Sequence, residues 1–426
     1  MNNEMILTGA KIIDPANQYF GPAEIYVSKG KIRKIEKKGK SKGNDVIDLK
    51  GLYLCPGFID MHVHLREPGR EDEETVISGA EAAAAGGFTA VACMPNTEPA
   101  LDNAETIKFV IDRAKAAKVK VYPIGAVTVG RKGEILTEML EMVNVGAVAF
   151  SDDGGGLQNG HLMRRALEYS KTCAVPIISH CEYNDLASGG VMNESFVSTV
   201  LGLKGNPPVA EELMVAREIM LAQYTGSRVH IAHVSTAGSV DLIRRAKKAK
   251  VKITAEVTPH HFTLSDEKIR SFDTNYKVNP PLRTKKDIDA LKKGLADGTI
   301  DVIASDHAPH SVEEKELEFD YAPPGMIGLE TTVGLTITEL VKKRLLSWPQ
   351  AVAKLTINPA GILNLPGGSF KIGGPADFTV IDPNLKWVVD RDDFKSLSFN
   401  SPYIGRKLTG KAVMTIVDGK IVHSLI

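Results

Sequence analysis

The segment GFIDMHVHLREPGR, residues 57–70, decides how the rest of the chain is read. An apolar run leads into His62 and His64 and is followed at once by Arg66, Pro68 and Gly69. In a β-strand, side chains two apart share a face, so both imidazoles point the same way and Val63 points opposite. The same pattern, a short apolar run ending in polar residues, recurs downstream in FTAVACMPN, VKVYPIGAVT, GAVAFSDD, VPIISHCE, RVHIAHVS, KITAEVTPHH and DVIASDHAP. Between these runs lie amphipathic stretches of ordinary helix length, among them LDNAETIKFVIDRAKAAK, HLMRRALEYSKTC, VAEELMVAREIMLAQY, SVDLIRRAKKAK and KKDIDALKKGLADG. Strands alternating with helices imply parallel pairing, and eight such units match a closed α/β barrel, (β/α)8, of about 250 residues. The competing arrangement, a doubly wound open sheet, lacks a G-x-G-x-x-G after its first strand.

On either side of the barrel segment, residues 55–364, the text changes to short strand-like pieces with turn residues between them. Residues 1–54 and 365–426 read alike, so the simplest assembly joins both ends in one small antiparallel β-domain, a sandwich beside the barrel. The lysine-rich stretch from Lys29 to Lys42 reads as a solvated hairpin edge guarded by charge. Lysine plus arginine equals aspartate plus glutamate at 52 each, so no global field favours nucleic acid or an anionic membrane. MNNEMILTGAKIID lacks the basic start and apolar core of a secretory signal, and no stretch reads as a membrane span. The cysteines Cys55, Cys93, Cys173 and Cys181 show no C-x-x-C spacing, which suits reduced thiols and a cytoplasmic protein acting on small molecules.

In a parallel barrel the chemistry sits at the carboxyl ends of the strands. Those ends carry His62 and His64, then Asp152 and Asp153, then His180, His233 and Asp306. A lone histidine at a strand end is commonly a hydrogen-bonded structural group. An H-x-H pair joined by two more histidines at neighbouring strand ends is a metal site. Imidazole and carboxylate donors suit zinc, with manganese, cobalt or iron also compatible. The donors exceed what one tetrahedral ion with an open position needs, whereas two ions roughly 3.5–4 Å apart with a bridging carboxylate use them all. Periodicity turns His230 away from His233 and His307 away from Asp306. It leaves open whether Asp152 or Asp153 faces inward. His310 lies beyond its strand in a loop able to fold over the mouth, and His260 and His261 read as structural.

In order and over nearly the whole chain, GFIDMHVHLREPG, MPNT, SDDG, ISHCE, IAHVST, VTPHH, NPPLR and ASDHAPH resemble the motif set of the amidohydrolase superfamily, and within it the bacterial dihydroorotase family. The resemblance implies two zinc ions, one on His62, His64 and Asp306, the other on His180 and His233, bridged by Asp153. Hydantoinases and allantoinases share the frame but typically bridge their metals with a carboxylated lysine, and VGAVAFSDDGGG contains none. It further implies reversible cyclisation of N-carbamoyl-L-aspartate to L-dihydroorotate, a step of pyrimidine biosynthesis, by a zinc-hydroxide mechanism with Asp306 as general base and then acid. Arg66, Asn96 and His310 match positions that hold the substrate carboxylate, and Asn279 matches one that contacts the ring. A guanidinium grips a carboxylate with two parallel hydrogen bonds, which gives Arg66 its chemical sense.

The long loop SVEEKELEFDYAPPGMIG, 311–328, has two readings: a lid that presents Pro324 and Gly325 to substrate, or a disordered acidic run. Inactive relatives serve as scaffolds for aspartate carbamoyltransferase after losing metal ligands. This chain keeps every candidate, so the expectation is an active enzyme, a homo-oligomer, able to dock on that transferase.

Overall fold

The computed structural model describes residues 4–37, 41, 43 and 45–426. Three parallel strands, Phe58–Val63, Phe88–Cys93 and Lys120–Pro123, form one arc of the barrel. Ile177–Ser179, Val229–Ile231, Ile253–Val257 and Val302–Ile303 form the other. The arcs join through Val63, which pairs with His307, and through Phe150, which pairs with both Gly125 and Ile177. The eightfold alternation therefore closes into a barrel, but its fourth stave, GAVAFSDD, is reduced to isolated bridges. Its neighbours explain this: Pro123 and Pro176 accept hydrogen bonds from Val148 and Phe150 but have no N–H to return.

The strands are buried on both faces, as parallel strands under helices must be. Met61, Ala92, Ile124, Ala149, Ile178, Ala232 and Val302 fill the interior, with Leu363 packed among them. The first helix, Val76–Gly86, begins at Thr75, whose hydroxyl accepts from Ser78 N, and stops at Gly87, whose φ of 95° suits glycine. Five longer or amphipathic helices follow at Ala104–Ala114, Gly160–Cys173, Pro208–Thr225, Ala237–Lys248 and Lys285–Asp297, where the sequence pattern places them. Among the described residues no helix is long and apolar enough to cross a membrane.

Both chain ends contribute to two further sheets. One holds Lys31–Glu36, Glu24–Ser28, Glu4–Thr8 and Val46–Asp48 in that order. The other runs Lys420–Ser424, Lys407–Val417, Phe378–Val388, Tyr53–Pro56, Lys11–Asp14 and Tyr19–Pro22. Leu7, Ile12, Ile25, Leu54, Phe378 and Ile416 share one core between them, making a sandwich. Two pairings are parallel, against the expected all-antiparallel arrangement: Glu4–Thr8 with Val46–Asp48, and Lys11–Asp14 with Tyr53–Pro56. The cause is that the chain crosses between the sheets before it returns, so these partners are not joined by hairpins. Lys31–Glu36 is an edge strand; residues 38–40 and 42 of the lysine-rich stretch lie outside the described residues.

Candidate active site

His62 and His64 stand at the end of the first barrel strand, and each is oriented from behind. His62 Nδ1 donates to Glu256 Oε1 at 2.5 Å, and His64 Nδ1 to Asn96 Oδ1 at 2.7 Å. Both Nε2 atoms are thereby turned as lone pairs toward the mouth, the arrangement by which a metal-ligating histidine is fixed in tautomer and angle. Across from them His180 Nδ1 and His233 Nε2 lie 2.9 Å apart. The Asp153 carboxylate sits among the four: 3.6 Å from His62 Nε2, 3.7 Å from His64 Nε2, 3.6 Å from His180 Nδ1 and 3.5 Å from His233 Nε2. Asp306 lies 3.0 Å from His64 Nε2 and 3.4 Å from His62 Nε2.

Whether this donor set fits a metal can be tested on its own atoms. His62 Nε2 and Asp153 Oδ1 are both fully enclosed, face each other across 3.6 Å, and have no hydrogen-bond partner. Buried polar atoms are rarely left so, and a cation between them satisfies both. Two groups of donors lie within 4.8 Å of one another, His62, His64 and Asp153, and Asp153, His180 and His233, with Asp153 common to both. The charges agree. Burial opposes the ionisation of Asp153, yet the imidazoles of His62, His180 and His233 hold its carboxyl well below the usual range. Burial also opposes a charge on His180, and Asp153 and Glu182 nevertheless lift it to about 10. This is a place that demands positive charge, and the residues fit a metal centre.

Asp152 is turned away. It accepts from Val127 N at 2.8 Å, Thr128 N at 3.1 Å and Thr128 Oγ1 at 2.5 Å, and so anchors the loop after the third strand. His230 is likewise beneath the site, 3.2 Å from Glu256 Oε2, and His307 is 3.2 Å from Glu74. His261 is held by Thr258 Oγ1 and Pro280 O, while the buried His260 Nε2 has no partner.

Above the donors lies a cavity of about 220 Å³. Arg66 enters it from one wall, its Nε 3.0 Å from Pro309 O and 3.2 Å from Glu73 Oε2, its Nη2 3.3 Å from His310 Nε2. His310 Nδ1 lies 3.2 Å from Glu73 Oε1 and 2.9 Å from Glu314 Oε2. Asn279 Nδ2 donates to Glu182 Oε2 at 3.0 Å and stands 3.5 Å from His180 Nε2. Pro324 and Gly325 border the same space. Their loop is packed down: the ammonium of Lys315 donates to Pro323 O at 2.9 Å and Gly325 O at 3.1 Å, and Gly325 N to Lys277 O at 2.8 Å. What Gly325 offers a ligand is closeness, since a Cβ there would meet His310 Nε2 at 2.8 Å.

Sequence reading did not find Glu256, Glu182, Glu73 or Arg131. Glu256 lies inside the strand Ile253–Val257, not at its end, and an acidic residue within an otherwise apolar strand was the available signal. The others sit on loops, where periodicity carries no information.

A barrel capped at its strand ends by four imidazoles and a shared aspartate, with a β-sandwich built from both chain ends, is the arrangement of a metal-dependent cyclic amidohydrolase. A profile of the family described as Dihydro-orotase-like matches residues 51–239, and one of the Amidohydrolase family matches residues 212–423. A protein named dihydroorotase from Pelotomaculum thermopropionicum is 54% identical over 419 residues, 98% of this chain and 98% of its own. One from Geotalea daltonii is 51% identical over 421 residues, 98% of this chain and 99% of its own. Among solved structures, the L-hydantoinase (dihydropyrimidinase) from Arthrobacter aurescens superposes with a TM-score of 0.88 at 25% identity, covering 99% of this chain and 96% of that one. The dihydropyrimidinase from Brevibacillus agri shares the fold at a TM-score of 0.87, 21% identity and coverage of 99% and 95%. The chain belongs to the dihydroorotase family.

Proposed function

We propose that the chain catalyses the reversible cyclisation of N-carbamoyl-L-aspartate to L-dihydroorotate. The observation that carries this reading is Asp153 at the centre of the four imidazoles, where a hydantoinase-like site would need a lysine, in a cavity that Arg66 enters from the side. Relatives of full length named dihydroorotase support it. The donors suit zinc: His62, His64 and Asp306 would hold one ion and His180 and His233 a second, with Asp153 shared. Ions bound there supply Lewis acidity toward a carbonyl and lower the pKa of water to about 7.

The protein's own residues do the rest. Arg66, Asn96 and His310 grip the carboxylate that ring and open chain have in common, and Asn279 orients the ring. That grip fixes which carbonyl reaches Asp306. Burial opposes charge on Asp306, but the neighbouring His62, His64 and His233 hold it well below the usual carboxylate range, so it meets the substrate as a base. It takes a proton from the attacking water and passes it to the departing ring nitrogen; cyclisation reverses both transfers. The four cysteines are buried and unpaired, which supports a reducing, cytoplasmic setting.

The test is ring opening of dihydroorotate by the purified, zinc-supplemented chain, alone and with aspartate carbamoyltransferase, beside hydantoin and allantoin as rival substrates. Turnover of dihydroorotate by the chain alone is expected. Turnover only with the transferase would make docking part of the function, and turnover of hydantoin or allantoin in its place would overturn the assignment. No turnover in any arm would favour a scaffold.

A further inference from the structure

We infer that Arg131 is a specificity-determining residue of this site, a second guanidinium that binds the open-chain dicarboxylate in preference to the ring. The inference rests on the reaction proposed above and adds to it a residue outside the set read from the sequence.

The backbone gives the first indication. Gly130 and Arg131 are consecutive left-handed residues, with φ of 59° and 57°. Glycine adopts this readily and arginine does not. Among non-glycine residues lining the cavity, positive φ occurs at Arg66 (59°), His233 (29°), Asp306 (48°) and Arg131. The first three carry the chemistry assigned to the site. Strain of this kind persists only where surrounding contacts enforce it, and it concentrates at functional positions.

Those contacts are present. The Asp152 carboxylate fixes Val127 N, Thr128 N and the Thr128 hydroxyl, which in turn accepts from Gly133 N at 2.9 Å. Gly130 N donates to Asp102 Oδ2 at 2.7 Å, and Val129 N to Ile135 O at 2.9 Å. A loop pinned at both ends thus delivers one long side chain to the cavity.

The head group completes the case. Arg131 Nη2 donates to the backbone carbonyl of Asp153 at 2.7 Å, while its enclosed Nε has no partner. A guanidinium has five N–H donors, so most of this one remains to be used. No carboxylate among the described residues lies within 4 Å of it, Asp152 feeling its charge only from a distance, in contrast to Arg66, which pairs with Glu73. Beside it is Gly154: a Cβ there would lie 3.4 Å from Arg131 Nη2 and 3.8 Å from Asn96 Nδ2. Both are ordinary van der Waals distances, so the two donors flank the same glycine, whose φ of 85° is itself left-handed. The oxygen of Asn96 is already engaged by His64, so its amide N–H groups are what it offers. Arg131 and Asn96 therefore present a concentrated set of donors, one of them charged, on the side of the cavity above Asp153.

Ring opening turns one amide carbonyl into a carboxylate and adds one negative charge to the ligand. An unpaired cation discriminates between the two forms by that charge. It cannot alter their equilibrium in solution, so kcat/KM must change by the same factor in both directions. The discrimination therefore shows in the two KM values.

The experiment compares R131M and R131K with the unaltered chain, metal-loaded, in both directions, with metal content measured alongside. R131M is expected to raise KM for N-carbamoyl-L-aspartate about tenfold and that for dihydroorotate about twofold or less, with metal content unchanged and R131K recovering most of the loss. Equal changes in both KM values, or no change in either, would overturn the inference. So would loss of metal with a fall in kcat, which would make Arg131 only a support for Asp153. An unaltered chain inert on both compounds would instead refute the reaction itself, and this inference with it.

Discussion

Two clusters of imidazoles and carboxylates reach one cavity, the second through His310, and have opposite uses. Asp153 lies among His62, His64, His180 and His233; Glu73 and Glu314 flank His310. Both contain sets of three ligand atoms within 4.8 Å, two sets sharing Asp153 in the first and one in the second, so spacing alone does not separate them. Countercharge does. Around Asp153 no arginine or lysine forms an ion pair among the described residues, and His62 Nε2 and Asp153 Oδ1 have no partner. Around His310, Arg66 stands 3.2 Å from Glu73 and Arg70 pairs with both Glu73 and Glu314. Burial and the charge of Arg66 together press His310 down to about 3. The first cluster has the charge to hold a cation, and the second already has two, Arg66 and Arg70. A buried carboxylate is read by what neutralises it.

The largest effect should follow from Asp153→Asn, which removes the charge shared by both halves of the metal centre. Metal content is expected to fall toward zero and kcat by about 10⁴-fold or more, because the site loses its metals and Asp306 alone retains little of the catalysis. A metal-replete, active variant would break the comparison at its centre. Asp306→Asn should be milder for the metals and severe for the chemistry, with kcat lower by about 10³-fold in both directions and KM within a few-fold. Unchanged turnover would remove Asp306 from the proton transfer. In the second cluster Glu73→Gln is expected to leave metal content untouched and to raise KM about tenfold, since Arg66 and His310 lose the group that aims them. Titration with zinc should then saturate at the same stoichiometry as before. A fall in metal content on Glu73→Gln, or a third tight equivalent in the unaltered chain, would mean that the guanidinium cluster binds metal after all.

The same contrast marks what could be read from the sequence. His62 and His64 were legible because a period of two in a strand puts both on one face, and His230 was set aside by the same rule. Asp152 and Asp153 were not separable, since the stretch that bears them forms only isolated bridges at Phe150 and has no strand phase to decide between them. The hydrogen bonds that turn Asp152 toward Thr128 arise from a loop contact 24 residues distant. Glu256 and Glu73 act through partners 194 and 237 residues away, His62 and His310, and such pairings are properties of the closed barrel. The barrel itself was legible because alternation of strand and helix is local. The parallel pairs of the β-sandwich were not, because they depend on which sheet the chain enters next.

A third carboxylate, half-buried, has neither metal nor guanidinium and completes the comparison. Glu330, at the start of the helix Leu329–Thr336, accepts from Lys395 N at 2.8 Å and Ser396 N at 3.2 Å. Burial raises its pKa, those N–H groups oppose the rise, and the charge of Glu74 adds to it; the outcome is a carboxyl pushed up to about 7 from an ordinary 4.5. Between these values the folded chain keeps a proton that the unfolded chain has released. Its contribution is therefore fully favourable below about pH 4.5 and is lost as the pH rises through about 7. Glu330→Gln keeps an oxygen for Lys395 and Ser396 and removes the titration. It should stabilise the protein by about 1–2 kcal/mol at pH 8, allowing for partial solvent access, and by much less at pH 5. Thermal midpoints of the metal-loaded chain at the two pH values measure this directly. If variant and unaltered chain differ equally at both, a proton is not what neutralises Glu330, and the rule drawn from the two clusters fails at its weakest charge.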